Sequence, residues 1–379
     1  MKILLLSCKT GGGHDAAANA LKEEFIAQGH EAFVFDYLTL AGEKVAKRVA
    51  DFYVKTVQTA PQAFGYAYNL ALFVAKHVKR SPIYYFNRKM IKFLTPYLKA
   101  HRYDAIVCTH LYPIETLTAM IRENIPLPPC IGVMTDYTVI PFICETDVDE
   151  YIIPHPDLAA AYENGGLNGQ KLHPFGIPYS PRILLDVKKT EAKNQLSLDK
   201  NKKTVLLIGG SMGAGNLVAL ADAFAADSRT ADAQTVIICG NNRAVKYKIL
   251  KKYRHDKRFK VLGHTDKMPL FMKAADVIYT KPGGLTSTET AASRTPLVIT
   301  YPIPGCETAN KEFYLSHGMA VSANTPKDLV NAGFELISSP EKEAAMIKAQ
   351  EENVSASATQ NSVDFILSLI EKRKKQAEN

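Results

Sequence analysis

Two glycine-rich turns in the second half of the chain have the composition of an anion-binding site. The run Gly209–Gly215 follows a strand-like segment and precedes a helical one, and Lys281–Thr286 repeats that arrangement. Backbone N–H groups at the start of a helix bind anions when glycines let the ligand approach closely. No Gly-Lys-Ser/Thr follows Gly209–Gly215, so this run is not a nucleoside-triphosphate P-loop. The two turns would be able to hold a diphosphate between two helix N-termini; plain tight turns are the alternative.

Acidic and amide side chains accompany these turns. Glu289 could accept both hydroxyls of a ribose, or interact only with the helix dipole. We expect Thr286 and Thr288 to cap the helix that follows the second turn, with Glu289 in its first turn. Glu307 and Asn310 follow the last strong strand-like run and could bind sugar hydroxyls, unless the loop is only a capped one. This arrangement suits a nucleoside diphosphate leaving group bound without a metal.

A third glycine run, Gly11–Gly13, precedes His14 and a helical segment. It formally fits the G-x-G-x-x-A dinucleotide fingerprint, with Asp36 about twenty residues further on, and this alternative stays open. A helix N-terminus disfavours the imidazolium, so we expect a neutral His14 that can act as general base on a hydroxyl, rather than one that only packs. Asp136 follows another strand-like run and could orient His14 or be the base itself.

The basic residues are concentrated between Ala41 and Arg102. This segment has twelve Lys/Arg and two acids, a net +10 against +8 for the whole chain, and eleven Phe/Tyr residues are interspersed. Within it, Asn69–Lys79 has the pattern of a short amphipathic helix. Such a composition suits an anionic membrane surface, where each cation contributes about 1 kcal/mol. A solvated helical face is the alternative; nucleic acid is disfavoured by the pI of 8.9 and by the lack of a binding motif.

Strand-like and helix-like segments alternate twice along the chain. Predicted strands of the first half are Lys2–Ser7, Ala32–Phe35, Ala105–Cys108, Cys130–Val133 and Tyr151–Ile153, and those of the second half are Thr204–Ile208, Thr235–Cys239, Lys260–Leu262, Asp276–Thr280 and Leu297–Tyr301. The predicted helices that follow the glycine runs are His14–Gln28 and Asn216–Ala226. Two such series predict an α/β protein with two Rossmann-like, doubly wound domains and a cleft between them. We expect domains at residues 1–186 and 204–355, a polar linker at 187–203, and a C-terminal helix at 356–379 that packs back on the first domain.

Composition restricts the class of protein further. The chain has 379 residues, 46% of them hydrophobic, which is enough for two globular domains. None of its six cysteines forms a C-x-x-C pair, so we expect buried free thiols in a reducing cytosol, with no metal site. The N-terminus lacks the pattern of a signal peptide, and no apolar stretch is long enough to span a bilayer. We therefore expect a soluble protein or one attached to a membrane from one side.

Four motifs together resemble one family over nearly the whole chain. GGGHDAAANAL from Gly11, VMTDY from Val133, KPGGLTSTE from Lys281 and PIPGCETAN from Pro302 are similar to motifs of the monogalactosyldiacylglycerol synthase and processive diacylglycerol glucosyltransferase family, glycosyltransferase family 28. The resemblance implies a GT-B fold and inverting transfer of a hexose from a UDP-sugar donor to diacylglycerol, with no cofactor required. This chain has Cys306 where the family often has Gln, and a thiol lacks the paired hydrogen bonds of an amide. The identity of the hexose therefore does not follow from this motif, and we expect glucose rather than galactose.

The resemblance also implies roles for particular residues. His14 and Asp136 would be catalytic. The donor would be bound by Gly209, Gly210, Ser211, Met212, Gly213, Gly263, Lys281, Gly283, Gly284, Thr286, Glu289, Glu307 and Asn310. The acceptor lipid and the membrane would be contacted by Gly12, Gly13, Phe73, Lys76, Lys79, Arg80, Tyr84, Arg88 and Lys89. The expected partners are a UDP-hexose, diacylglycerol and an anionic phospholipid surface, without nucleic acid, at the cytoplasmic face of the cell membrane.

Three alternatives share parts of this pattern. A peptidoglycan-type N-acetylglucosaminyl transferase would use the same fold with a lipid-linked sugar as acceptor. A UDP-sugar 2-epimerase would use the same two halves but needs no lipid surface, so the basic segment counts against it. A membrane-bound sensor of UDP-sugar would bind the donor and transfer nothing.

Overall fold

The computed structural model describes residues 1–9, 11–213 and 216–378. The chain forms two units, each with its own sheet. The first unit consists of Met1–Ser180, Pro304–Cys306 and Ser357–Asn379, and the second consists of Pro181–Ile303 and Glu307–Ala356. The chain therefore completes the first sheet, builds the second, and returns to the first unit at its end.

The sheet of the first unit is built from short apolar runs. Its strands, within the described residues, are β1 Lys2–Ser7, β2 Glu31–Asp36, β3 Ala105–Cys108, β4 Cys130–Val133, β5 Glu150–Ile152 and β6 Leu172–His173. They are parallel and lie in the order β2-β1-β3-β4-β5-β6. Every residue of β3 and β4 is buried, as is typical of parallel strands covered by helices on both faces.

Helices cover both faces of this sheet. They are α1 Gly12–Ala27, α2 Glu43–Thr59, α3 Pro61–His77, α4 Pro82–Arg88, α5 Ile91–Ala100, α6 Leu111–Arg122, α7 Ala159–Asn164 and, from the end of the chain, α16 Ala358–Glu378. On one face, Ile3 and Leu5 of β1 share a buried cluster with Leu21 of α1 and Ile366 of α16. Alternate residues of the same strand belong to a second cluster, which includes Leu117 of α6. The alternation of a β-strand thus explains why both faces are apolar.

The second unit repeats this architecture. Its described strands are β7 Lys203–Ile208, β8 Ala233–Ile238, β9 Phe259–Leu262, β10 Val277–Thr280, β11 Leu297–Ile299 and β12 Val321–Ser322. They are parallel, in the order β12-β11-β10-β7-β8-β9. The helices are α8 Lys189–Gln195, α9 Leu217–Ala226, α10 Arg243–Tyr253, α11 Met268–Ala274, α12 Gly284–Ala292, α13 Cys306–Ser316, α14 Pro326–Ile337 and α15 Pro340–Asn353. The predicted α/β class with two doubly wound parallel sheets is confirmed.

Several predicted elements end one or two residues away from their observed limits, and two strands and one helix differ more. Strands β6 and β12 were not predicted, because a two-residue edge strand is too short to show periodicity. The amphipathic segment predicted as Asn69–Lys79 is the second half of α3, which begins at Pro61 and ends at His77. Proline at the first position of a helix fits, since its missing N–H would be unpaired there in any case.

The polar segment at 187–203, expected as a linker, lies in the second unit and contains α8. Lys189 and Lys193 both donate to the carboxylate of Asp276, at 3.0 and 3.1 Å, and the backbone N–H of Thr204 donates to it at 2.8 Å. Burial alone would raise the pKa of Asp276, but the two ammonium groups and this N–H hold it below its usual value. Two lysines of this polar segment, Lys189 and Lys193, therefore belong to an ion cluster around a buried carboxylate, so the segment is more than a solvent-exposed linker.

The six cysteines are free thiols. Cys8, Cys108, Cys130 and Cys239 are buried, and Cys144 and Cys306 are partly exposed. Among the helices that the structure describes, none combines the length and the hydropathy needed to cross a bilayer.

Candidate active site

His14 lies at the centre of the carboxyl edge of the first sheet. Gly11 has φ of 150°, and α1 begins at Gly12, so Gly12, Gly13 and His14 form its first turn. Strand β1 pairs with β3, which in turn pairs with β4. Parallel neighbours end at the same edge, and the residues after β3 and β4 are therefore brought to the start of α1.

Two threonines from these neighbouring strands hold the His14 ring. Its Nδ1 lies 2.7 Å from the carbonyl oxygen of Thr109 and 3.0 Å from the hydroxyl of Thr135. The hydroxyl of Thr109 in turn donates to the carbonyl of His14 at 3.0 Å. A carbonyl can only accept, so Nδ1 carries the proton, and the neutral ring then presents the lone pair of Nε2. Neither threonine was predicted from the sequence.

A second histidine lies against the first. The rings of His14 and His110 are 4.6 Å apart and meet edge to face. The Nδ1 of His110 accepts from the backbone N–H of Tyr112 at 3.1 Å, so its proton is on Nε2. Burial, with a contribution from His14, lowers the pKa of His110 well below its usual value. His110 is therefore a neutral neighbour that adds no charge beside His14.

Asp136 shares a small pocket with His14. The pocket has a volume of about 20 Å³ and is also lined by His110, Met134 and Thr135. Asp136 is half-buried and follows β4, as the sequence predicted. The structure thus brings the two proposed catalytic residues together, while the Nδ1 atom of His14 is held by Thr109 and Thr135.

Asp36, the acid of the alternative dinucleotide fingerprint, has a local partner. It caps a short 3-10 helix at Tyr37–Ala41, accepting from the backbone N–H of Leu38 at 3.3 Å. Burial raises the pKa of this carboxyl. Capping alone therefore accounts for an acid at this position.

In the second unit, the turn after β7 is packed tightly against the turn after β8. A Cβ at Gly209 would lie 2.8 Å from the Cα of Gly213, and one at Gly213 would lie 2.3 Å from the carbonyl oxygen of Cys239. Gly210 and Gly213 have φ of 64° and 59°, which favours glycine. Ser211 accepts from the backbone N–H of Asn241 at 3.0 Å. Close packing thus explains why positions 209 and 213 are glycine. Ala214 and Gly215 of the predicted run lie outside the described residues.

The turn after β8 is a part of this site that the sequence analysis missed. A Cβ at Gly240 would lie 2.2 Å from the carbonyl oxygen of Gly210, so only glycine fits there. Asn242 caps α10 through the N–H of Val245 at 3.0 Å. Gly263, after β9, lies next to Gly240 and Lys246. A glycine followed by two asparagines after a strand was the available signal.

The turn after β10 opens α12 earlier than predicted. The helix begins at Gly284 with Gly283 as its N-cap, and no side chain of the described residues caps it. The hydroxyl of Thr288 instead donates to the carbonyl of Gly284 at 2.6 Å, within the helix. The capping role expected for Thr286 and Thr288 is therefore wrong, because two glycines already allow the chain to enter the helix. Thr286 lies in the first turn, and Glu289 lies one turn further on.

Glu289 lies on α12 and is partly buried. Burial raises its pKa to about 7, so the neutral and ionised forms are both populated near neutral pH. A buried carboxyl whose pKa is shifted in this way is frequent in binding and catalytic sites.

Three side chains connect the turn after β10 to helix α13. Lys281 forms an ion pair with the Oε1 atom of Glu307, and both side chains are buried. The Oε2 atom of Glu307 accepts from the backbone N–H of Ile303 at 2.8 Å. Asn310 is fully buried, and its amide donates to the carbonyl of Pro282 at 3.0 Å. The structure thus brings Lys281, Glu307 and Asn310 together, with the last two supporting the turn.

The basic, aromatic segment divides into exposed and buried residues. On α3, the side chains of Tyr66, Leu70 and Phe73 are 77%, 63% and 60% exposed at helical spacing. Phe52 of α2 is 74% exposed. Lys76, Lys79, Arg80, Arg88 and Lys89 are all exposed. The segment therefore presents apolar and basic side chains to the surface.

Two of the residues predicted to contact a membrane are engaged within the protein. Tyr84 is only 3% exposed, and its ring lies 5.4 Å from the guanidinium of Arg80 and 5.2 Å from that of Arg122. Arg88 pairs with Glu123 at 2.6 Å. The burial of Tyr84 excludes it from an outer surface, because α4 turns that side chain towards the unit.

An apolar groove lies beside the His14 pocket in the first unit. Its volume is about 630 Å³. The side chains that form most of its wall are apolar: Leu72, Ala75, Val78, Val139, Ile140 and Phe142. Lys76 and Lys79 also line it, and Ile140 lines both the groove and the His14 pocket. Phe142 has φ of 69°, a conformation that costs a non-glycine residue about 1–3 kcal/mol and is often retained at functional sites.

Two family models match the chain, one for each unit. Residues 14–179 match the model for monogalactosyldiacylglycerol (MGDG) synthase, and residues 188–353 match the model for glycosyl transferases group 1. A processive diacylglycerol beta-glucosyltransferase of Bacillus pumilus is 26% identical over 348 residues, which cover 91% of this chain and 89% of that protein. A protein of the same name from Bacillus cereus strain AH187 is 26% identical over 84% of this chain and 81% of that protein.

Solved structures share the fold at low sequence identity. MurG of Acinetobacter baumannii is 17% identical, with a TM-score of 0.60 over 97% of this chain and 99% of that one. The UDP-GlcNAc 2-epimerase of Neisseria meningitidis, solved with UDP-GlcNAc, is 13% identical, with a TM-score of 0.61 over 97% of this chain and all of that one. The chain is therefore a glycosyltransferase of GT-B fold, with a domain of the monogalactosyldiacylglycerol synthase type at residues 14–179 and a domain of the glycosyl transferases group 1 type at residues 188–353, and it is similar along most of its length to processive diacylglycerol beta-glucosyltransferases.

Proposed function

We propose that this protein is an inverting transferase that moves a hexose from a UDP-sugar to diacylglycerol or a glycosyldiacylglycerol at the cytoplasmic face of the membrane. Glucose is the favoured hexose. The main support for this proposal is the position of His14 and its hydrogen bonds. Its Nδ1 is bound by a backbone carbonyl, and its pocket shares Ile140 with an apolar groove. A base that can accept a proton therefore lies beside a surface suited to a lipid.

His14 is the proposed general base. Its Nε2 takes the proton of the acceptor hydroxyl as that oxygen attacks the anomeric carbon of the hexose. The bond from this carbon to the diphosphate breaks on the opposite side, and UDP leaves with the electron pair. The carbonyl of Thr109 stabilises the imidazolium that forms, since it accepts from Nδ1–H in both protonation states. Asp136 in the same pocket is the alternative base.

The second unit is the proposed donor site. The start of α12 and the turn after β7 supply backbone N–H groups for the diphosphate, without a metal. Glu289, which is partly buried on α12, accepts hydrogen bonds from the ribose hydroxyls. Glu307 and Asn310 lie on the helix that approaches Lys281, where the hexose of the donor would extend.

The groove of the first unit is the proposed site for the acyl chains of the acceptor. Its apolar wall would cover methylene groups, each worth about 0.8 kcal/mol on burial. The exposed apolar side chains of α3 and the lysines beside them would attach this unit to anionic phospholipid. Attachment from one side would deliver diacylglycerol directly from the bilayer.

One experiment tests the proposed reaction. The purified protein is incubated with radiolabelled UDP-glucose, UDP-galactose or UDP-N-acetylglucosamine and with anionic phospholipid vesicles that contain either diacylglycerol or a lipid-linked sugar, and the lipid and nucleotide-sugar products are separated. Label from UDP-glucose should enter glycosyldiacylglycerol, with less from UDP-galactose. Label that enters only a lipid-linked sugar acceptor would favour the N-acetylglucosaminyl-type reaction. Conversion of UDP-N-acetylglucosamine without lipid labelling would favour an epimerase, and donor binding with no product would favour a sensor.

A further inference from the structure

The side chain of Lys281 lies at the meeting point of three loops of the second unit. A Cβ placed on Gly210 would be 3.4 Å from its Cε atom, and one placed on Gly283 would be 3.1 Å from its Nζ atom. The Nζ atom is bound to the Oε1 atom of Glu307. One ammonium group is therefore within reach of the turn after β7, the start of α12 and the start of α13.

Both partners of this ion pair are buried: Lys281 is 8% exposed and Glu307 is 7% exposed. A buried ion pair contributes little net stability, because desolvation of the two charges offsets most of their attraction. An ion pair retained at the centre of three glycine-containing turns is therefore better explained by a second partner for one of its members.

The two members are held differently. Glu307 keeps a second contact, from the backbone N–H of Ile303 to Oε2 at 2.8 Å, so its carboxylate stays in place without Lys281. Lysine has a flexible four-carbon stem and three donor hydrogens. The ammonium can therefore rotate away from Glu307 while the carboxylate remains. Among the described residues, chain neighbours aside, a Cβ at Gly210 or Gly283 would meet only the side chains of this ion pair within 4 Å.

We propose that Lys281 is an exchangeable cation for the diphosphate of the donor. Without donor, its ammonium is paired with Glu307. When UDP-hexose binds, the ammonium moves to the diphosphate, and the Oε1 atom of Glu307 accepts a hydrogen bond from a hydroxyl of the hexose. This inference rests on the proposed function and extends it, because it couples recognition of the sugar to recognition of the diphosphate.

The coupling has a measurable consequence. UDP alone must separate Lys281 from Glu307 and leaves the carboxylate without a partner at Oε1. UDP-hexose supplies a hydroxyl to that atom, so it should bind more tightly than UDP. Uridine has no diphosphate and no hexose, so its affinity should not change when Lys281 or Glu307 is replaced. Binding of uridine therefore also reports whether a variant is folded.

The test is calorimetric titration of uridine, UDP and UDP-glucose against wild type and four variants: Lys281→Met, Lys281→Arg, Glu307→Gln and Lys251→Met. Lys281→Met should weaken UDP binding by at least about 10-fold and leave uridine unchanged, since a charge-assisted contact is lost. Lys281→Arg keeps the charge and should recover most of the UDP affinity. Glu307→Gln should bind UDP more tightly than wild type, because its amide does not retain the ammonium, and should lose the preference for UDP-glucose over UDP. Lys251 is exposed on α10 and serves as the matched control.

Two results would overturn the exchange. One is a Glu307→Gln protein that binds uridine normally but binds UDP as weakly as Lys281→Met does; the pair would then be only structural. The other is an unchanged UDP affinity in Lys281→Met. These binding results are separate from the proposed lipid transfer: a wild type that binds UDP-glucose with the expected pattern but labels no lipid would disprove the transfer and leave the exchange intact.

Discussion

At the scale of single residues, the proposed acceptor site and the proposed donor site each have a titratable side chain whose state is controlled in a different way. The ring of His14 is held in one tautomer by the carbonyl of Thr109, which follows β3. Glu289 is shifted towards neutrality by burial. Each arrangement predicts a different experimental response.

Replacement of His14 tests the base. His14→Ala should lower turnover by at least about 100-fold while donor binding stays near normal, because general base catalysis contributes roughly this factor. The measurements are the rate of glycolipid formation with saturating UDP-glucose, and calorimetry with UDP. His101→Ala is the control, since His101 is exposed at the end of α5. Near-normal turnover in His14→Ala would transfer the role to Asp136.

Glu289 predicts a pH dependence of nucleoside binding. In the proposed donor site, ribose hydroxyls donate to the ionised carboxylate, so the affinity for uridine should rise with pH and level off above about 7, where Glu289 is already ionised. Below that pH the carboxyl must lose its proton before it can bind, so the affinity should fall by a factor that approaches ten for each pH unit. Uridine is the suitable probe because it carries no phosphate that titrates in this range.

Glu289→Gln should remove this pH dependence and lower the affinity for uridine by about 10-fold, since an amide oxygen accepts a hydrogen bond less strongly than a carboxylate. Glu341→Gln, at an exposed position of α15, is the control. A pH profile that survives in Glu289→Gln would assign the titration to another group.

At the scale of elements, helix α3 has two functions in the proposal. Its exposed side chains Tyr66, Leu70 and Phe73 form an apolar stripe, and Leu72 and Ala75 line the groove. The same helix would thus contact the membrane with one side and the acyl chains with another. Residue type does not separate the two sets, because both are apolar; their positions around the helix place them on different sides.

The membrane contact of α3 is testable with vesicles. The double variant Lys76→Glu, Lys79→Glu should reduce sedimentation with anionic phospholipid vesicles by at least about 10-fold, since each basic residue near such a surface contributes about 1 kcal/mol. Lys248→Glu, Lys251→Glu on α10 makes the same change of charge at exposed positions elsewhere and should sediment like wild type. An equal loss in both pairs would indicate a general effect of net charge and reject α3 as the contact.

At the scale of the whole molecule, the C-terminal helix α16 packs against the N-terminal elements β1 and α1. Ile366 of α16 is fully buried in a cluster with Leu5 of β1 and Leu21 of α1. The exposed side of α16 is tied to the same unit by Lys374, which pairs with Asp104 at 2.7 Å. The last helix is therefore a structural part of the unit that carries His14.

This arrangement predicts the effect of a cavity in α16. Ile366→Ala should lower the free energy of unfolding of the first unit by about 2–5 kcal/mol, the usual cost of a large-to-small change in a core. The measurement is urea unfolding followed by far-ultraviolet circular dichroism, with donor binding as a separate check on the second unit. Glu371→Ala, exposed on the same helix, should unfold like wild type. Equal stability of the two variants would mean that α16 packs loosely.

Much of the architecture follows from local pattern. Apolar runs such as Ala105–Cys108 and Cys130–Val133 predicted their strands to the residue, because a strand buried on both faces has little but apolar residues in it. The start of α12 was misplaced since glycine at both positions hides the boundary that a capping threonine would mark. Tyr84 was assigned to the surface because its neighbours are basic, whereas the fold places it between two guanidinium groups.

The sequence by itself therefore determined the fold class, the order of most elements and the turns that follow the strands, since these depend on residues close together in the chain. Only the tertiary structure decided which side chains meet. Thr109 is 95 residues from His14, and Glu307 is 26 residues from Lys281. Such pairs depend on which strands are neighbours and on how each helix is rotated against the sheet, and these are properties of packing across the whole unit, which local periodicity does not encode.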